Sequence, residues 1–124
     1  MNLKKFGVWA NTDSLSAADA AAFAKRVEAW GYGALWVPEA VGREAFSASS
    51  WLLANTSRLV IATGIANIYA RDAFASASAQ KGLNEQSGGL SLIHISVRPP
   101  TALSQSMLLR RPPQSPEPGQ TTPP

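Results

Sequence analysis

Between Gly7 and Gly89 a short apolar run is followed by an amphipathic stretch three times in succession, and that rhythm leaves few folds open. Parallel strands need a crossover of about a dozen residues or more, which a helix supplies. Strands alternating with helices at this spacing therefore predict βαβ units in a parallel sheet or barrel. Phe6–Ala10 is apolar and stops at the polar Asn11-Thr12-Asp13, which reads as a first strand over 7–10. Ser16 with Asp19 has the form of a capping box, and Phe23, Val27 and Trp30 share one helical face, which puts Trp30 in the core. Gly31 or Gly33 suits the left-handed turn that stops this helix. Ala34–Val37 is the second strand, and Pro38, lacking an amide donor, takes the chain out of the ladder. A weaker helical stretch lies between Glu39 and Ser57, with Ala48, Trp51, Leu52 and Asn55 on one side. The third strand, 59–63, has no polar alternation, as in a sheet covered on both faces. Asp72 is placed to cap a helix over 73–86 with Ala75, Ala79 and Leu83 on one face, and Ser87-Gly88-Gly89 closes it.

Composition changes at Leu90. Eight of the nine prolines lie in the last 26 residues, whereas all four tryptophans and seven of the eight acidic residues precede Leu90. The expected organisation is thus a folded unit over 1–89 and a non-native or disordered, proline-rich tail over 90–124. Leu90–Ser96 has strand propensity and falls where a fourth strand belongs, but its string resembles the conceptual translation of a transposase-adapter sequence used in DNA library preparation. It is therefore set outside the fold, and His94, with no carboxylate or second ligand near it in sequence, is given no role.

The net charge of +3 suggests an acidic partner only until it is located. Residues 1–89 hold eight Lys/Arg against seven Asp/Glu, and no basic stripe interleaved with aromatics runs along one element, so no nucleic-acid partner is expected. The absence of cysteine excludes a disulfide framework, a thiolate metal site and a cysteine nucleophile, and fits a reducing cytoplasm. No metal is called for. No apolar run approaches the roughly 20 residues of a membrane span, and Phe6–Ala10 is too short for a signal-peptide core. A soluble cytoplasmic protein is the expectation.

Four stretches together resemble the luciferase-like monooxygenase superfamily, in particular its branch of oxidoreductases that use the deazaflavin coenzyme F420. They are Phe6-Gly7-Val8-Trp9, Trp30 through Glu39 (WGYGALWVPE), Thr56 through Asn67 (TSRLVIATGIAN), and Ala79-Gln80 with Glu85 through Gly89. The resemblance covers roughly residues 5 to 89 and implies the first three βα units of a TIM barrel, an α/β fold. In such barrels ligands bind at the C-terminal ends of the strands. The resemblance therefore implies Trp9 after the first strand, and Thr63, Gly64, Ile65, Ala66 and Asn67 after the third, as cofactor-binding residues, with Glu39 after the second as the candidate catalytic residue. In relatives the segment matching Gly64-Ile65 contains a non-prolyl cis peptide against the deazaflavin ring. Arg71 is read as preceding the Asp72 cap, with a cofactor phosphate as the alternative partner.

The implied parent activity is hydride transfer between F420 and a small-molecule substrate, with this chain as an inactive N-terminal portion. One alternative keeps the fold and substitutes flavin mononucleotide (FMN) in a monooxygenase. Another is a non-enzymatic α/β module whose proline-rich arm docks on a polyproline-binding partner.

Overall fold

The computed structural model describes residues 6–97. Its elements run β1 (Gly7–Trp9), α1 (Ala17–Ala29), β2 (Ala34–Val37), α2 (Ala45–Ala54), β3 (Val60–Thr63), β4 (Ala66–Asn67), α3 (Ala73–Ser87), β5 (Ser91–Leu92) and β6 (Ile95–Ser96). The main sheet has the order β1-β2-β3-β5 with every pairing parallel, and β4 pairs with β6, also parallel, beyond the ends of β3 and β5. The expected three βα units are present, as is the parallel sheet.

Register divides the side chains into two layers, because paired residues of parallel strands point the same way. Val8, Leu35, Ile61 and Ser91 form one row. Leu35 and Ile61 of that row, with Val37 and Leu59, join Ala20, Ala24, Val27, Leu52, Leu53 and Leu83 from the three helices in one apolar core. Trp9, Trp36, Ala62 and Leu92 form the row that faces away from it. The helices thus cover the first row side by side, and the other row is turned toward what would be the inside of a barrel.

Local chemistry sets the helix ends largely as anticipated. The Ser16 hydroxyl accepts from the Asp19 amide at 3.1 Å and donates to the Asp19 carboxylate at 2.7 Å. Asp72 accepts from the Ala75 amide at 2.7 Å. Gly31, with φ 87°, takes the left-handed turn after α1. The core faces differ in detail. Trp30 is 65% exposed, because α1 ends at Ala29 and the indole at the cap projects beyond the last turn instead of packing under it. In α2 the buried side chains are Ala45, Phe46, Ser49, Leu52 and Leu53, rotating Trp51 outward, where its indole donates to the Ala17 carbonyl at 2.8 Å. In α3 Ser76 and Leu83 are buried and Ala75 is exposed.

Leu90–Val97 differs from its expectation. Strand propensity prevails there: Ile61 donates to the Leu90 carbonyl at 3.0 Å, Ala66 to His94 at 2.8 Å and Ile68 to Ser96 at 3.1 Å, extending the parallel ladders to Ser96. The Gln80 side chain on α3 donates to the Ser91 carbonyl at 3.0 Å and helps seat β5. The remainder of the expected tail, 98–124, lies outside the described residues.

Candidate functional site at the strand ends

The carboxyl ends of β1, β2 and β3 meet around a cleft of about 430 Å³ lined by Trp9, Asn11, Pro38, Glu39, Gly64 and Ile65, with Ser96 and Val97 on the far side. Its centre is the break between β3 and β4. The Gly64-Ile65 peptide is cis, where the resemblance placed one. Three hydrogen bonds hold this break. Gly64 donates to the Val37 carbonyl at 2.8 Å, and its own carbonyl accepts from the Trp9 indole Nε1 at 2.9 Å. Glu39 donates through its amide to the Ile65 carbonyl at 2.9 Å. Position 64 is tight for a side chain: a Cβ there would lie 3.1 Å from Trp9 Nε1 and 3.4 Å from Trp36 Cβ, so the indole would have to yield by a few tenths of an ångström. Glycine is what lets the indole lie against the backbone.

Glu39 is bonded to more than its loop. Its Oε2 accepts from the Asn67 amide at 2.6 Å and from Arg71 Nη1 at 3.0 Å; its Oε1 accepts from the Ala45 amide at 3.3 Å and from Arg71 Nη2. Arg71 also reaches Glu44 at 2.8 Å and lies 4.4 Å above the centre of the Phe46 ring. Burial by itself pushes the Glu39 carboxyl up, but the Arg71 guanidinium and the amides of Asn67 and Ala45 outweigh it and hold the group below the ordinary carboxylate range. Glu44 behaves similarly: burial raises it, and the Phe46 and Ser47 amides it caps, with Ser47 and Arg71, bring it below. The hydrogen bond to Glu39 raises Arg71 above its already high value, against the smaller opposing effect of burial. The site is therefore ionised at neutral pH, with one guanidinium shared between two carboxylates.

The sequence-named residues separate into two groups. Trp9, Glu39, Gly64 and Ile65 line the cleft. Thr63, Ala66 and Asn67 stand behind it. Thr63 is 1% exposed and its hydroxyl both accepts from the His94 amide at 2.7 Å and donates to the His94 carbonyl at 2.9 Å, bridging the parallel breaks in the two strand pairs. Ala66 is fully buried. Asn67 gives its amide to Glu39 and accepts from the Tyr69 amide at 3.1 Å. Arg71 meets carboxylates, so neither reading made of it from sequence described its partner. Sequence reasoning passed over Glu44 and Asp13; the Asp13 carboxylate accepts from the Gly42 amide at 3.2 Å and ties the loop after β1 to the loop after β2. Among the described residues no three His, Cys, Asp or Glu side chains gather as a metal site, and no helix is long and apolar enough to cross a membrane.

Comparison with known proteins identifies the family and the fold. The family model described as luciferase-like monooxygenase matches residues 2–97. A 5,10-methylenetetrahydromethanopterin reductase of Methanolobus tindarius is 34% identical over 72 residues, 57% of this chain and 22% of that protein. The structure of the coenzyme F420 dependent tetrahydromethanopterin reductase from Methanopyrus kandleri aligns with a TM-score of 0.71 at 23% identity, covering 84% of this chain and 30% of that one, a likeness of fold. The chain thus spans less than a third of the length of either relative.

Proposed function

This chain belongs to the luciferase-like monooxygenase family, and we propose from that premise that it forms the amino-terminal wall of a deazaflavin site in an F420-dependent oxidoreductase acting on a small organic molecule. The carrying observation is the cleft itself: a flat indole fixed by its Nε1 bond to Gly64, and the Gly64-Ile65 backbone brought to the surface between strand ends. Such a wall suits a planar heteroaromatic ring, with Trp9, Gly64 and Ile65 holding it and Thr63, Ala66 and Asn67 supporting from behind. When bound, the deazaflavin supplies hydride chemistry, and the protein supplies placement and exclusion of water. Coenzyme F420 is favoured over FMN because the two relatives described above are both named as methanopterin-type reductases, one of them by its dependence on F420.

The residues of this wall come from three strand ends, whereas a barrel assembles its site from many. The 124-residue chain is accordingly expected to show no turnover and no submicromolar cofactor binding, yet to retain weak, local recognition. The test is an amide and indole NMR titration of the labelled chain with F420 and, separately, FMN. Shifts centred on the Trp9 indole and the Gly64–Asn67 amides, larger with F420, are the expected result. A preference for FMN, or shifts centred elsewhere, would overturn the reading.

A further inference from the structure

We infer, resting on the deazaflavin reading for the ligand's identity, that Glu39 and Arg71 are positioning residues: their ion pair fixes the backbone that walls the cleft, and Glu39 transfers no proton. A carboxylate offers about four lone-pair sites. Here four donors converge on them, the amides of Ala45 and Asn67 and the two ends of the Arg71 guanidinium. The amide of the same residue holds the Ile65 carbonyl, so the main chain and side chain of Glu39 grip the Ile65–Asn67 segment at both ends.

Arg71 cannot relay a proton in exchange, because a guanidinium stays charged throughout the ordinary pH range. It is instead anchored further by Glu44, the cap of α2, which shares the Nη2 that also reaches Glu39, and by the Phe46 ring. The residue following it, Asp72, caps α3. One buried cation thereby joins the starts of two helices to the break between β3 and β4, with the Arg71 and Glu39 side chains only 12% and 11% exposed. The wall of the cleft inherits its rigidity from that junction, and a displacement of about an ångström in such a wall is enough to lose about a hundredfold in productive placement.

Glu39→Gln preserves size and removes the charge. In the 124-residue chain it is expected to speed amide hydrogen exchange at Ala66 and Asn67 by about tenfold, to move the Trp9 indole resonance, and to weaken F420 binding by about tenfold. The amides of Ser57–Leu59, at the opposite end of the sheet, should keep their wild-type exchange. Arg71→Lys keeps a charge without the two-pronged geometry and should show the same local pattern in smaller degree; it carries the test if Glu39→Gln does not fold. Wild-type exchange at Ala66 and Asn67 in the folded variant, or equal loosening at both ends of the sheet, would overturn the positioning role. Failure of the wild-type chain to recognise F420 would sink the deazaflavin reading alone, since the exchange pattern is read without ligand.

Discussion

The two ends of β3 are each closed by a glutamate, and the contrast between them separates holding a fold from shaping a site. At the amino end, Glu28 on α1 accepts from the amides of Ser57, Arg58 and Leu59 at 2.9, 2.7 and 2.9 Å, three donors in a row through a single oxygen. At the carboxyl end, Glu39 takes two amides and a guanidinium, and beside it lie the cleft and an indole 62% exposed. Both carboxylates satisfy backbone donors that a turn leaves over. The amino end needs nothing more, whereas the carboxyl end has added a buried counter-charge that locks one particular backbone path. In parallel barrels the first end is where residues serve stability and the second is where they serve ligands.

Removing the counter-charge should produce the largest effect. Arg71→Ala leaves Glu39 buried and unpaired and is expected to cost about 3 kcal/mol in urea-induced unfolding. A loss below about 1 kcal/mol would mean that amides alone suffice for Glu39, as for Glu28, and the contrast between the ends would disappear.

Next in size is Gly64→Ala. The added methyl would press on Trp9 and Trp36 at 3.1–3.4 Å, and overpacking of this kind costs about 2 kcal/mol. The Trp9 bond to Gly64 is expected to break, seen as loss of its protected indole resonance, with Glu28 and its three amides undisturbed. An unchanged indole signal would show that the wall is more accommodating than its contacts indicate.

Much of this was legible beforehand, and the division is instructive. Strands at 34–37 and near 7–9 and 60–63 were readable because apolar runs bounded by Gly, Pro and polar turns are local signals. Caps at Ser16 and Asp72 were equally local. Helix faces were less so: Trp30 satisfies the spacing of a core residue, but the spacing does not say that α1 stops one residue earlier. The site residues were legible through family resemblance, while their division into a lining group and a supporting group was not. Glu39 and Arg71 are 32 positions apart, and nothing in a single chain states that they meet. Opposite charges after two consecutive apolar strands are the one signal that could have suggested it. The strand propensity of Leu90–Ser96 was itself legible; it was set aside because the string resembles translated adapter sequence and a proline-rich stretch follows it, whereas the backbone pairs there as strand.

Glu28→Gln should have a smaller effect, about 1 kcal/mol at neutral pH, because solvent reaches the group and an amide oxygen still accepts from the backbone. Its pH dependence is more informative. Burial pushes the Glu28 carboxyl up, but the amides of Arg58, Ser57 and Leu59 and the Arg58 charge hold it below the ordinary value of 4.5. A folded pKa below the unfolded one gives stability that is complete above the unfolded value and lost as pH falls through the folded value. Glu28→Gln should therefore flatten part of the acid limb below about pH 4.5. Glu39 contributes to the same limb with the same sign, so the residual slope of that variant should be reduced by Arg71→Ala, which takes away the largest influence lowering Glu39, while the amides that lower Glu39 and Glu44 keep part of it. An acid limb unaffected by either change would place the acid sensitivity elsewhere.

The smallest expected effect belongs to neither end. Ser49 sits mid-way along α2, 1% exposed, and among the described residues its hydroxyl has no hydrogen-bond partner. It differs from Glu28 and Glu39, whose carboxylates are amply supplied with donors. A hydroxyl stripped of water without compensation is unfavourable, and alanine is the better helix former. Ser49→Ala should therefore be neutral or stabilising by up to about 1 kcal/mol, with the exchange rates of Ser57–Leu59 and of Ala66–Asn67 both unchanged. A loss of more than about 1 kcal/mol would mean that the Ser49 oxygen has a partner after all, and that a third polar anchor, inside the helical layer, helps hold the two ends in register.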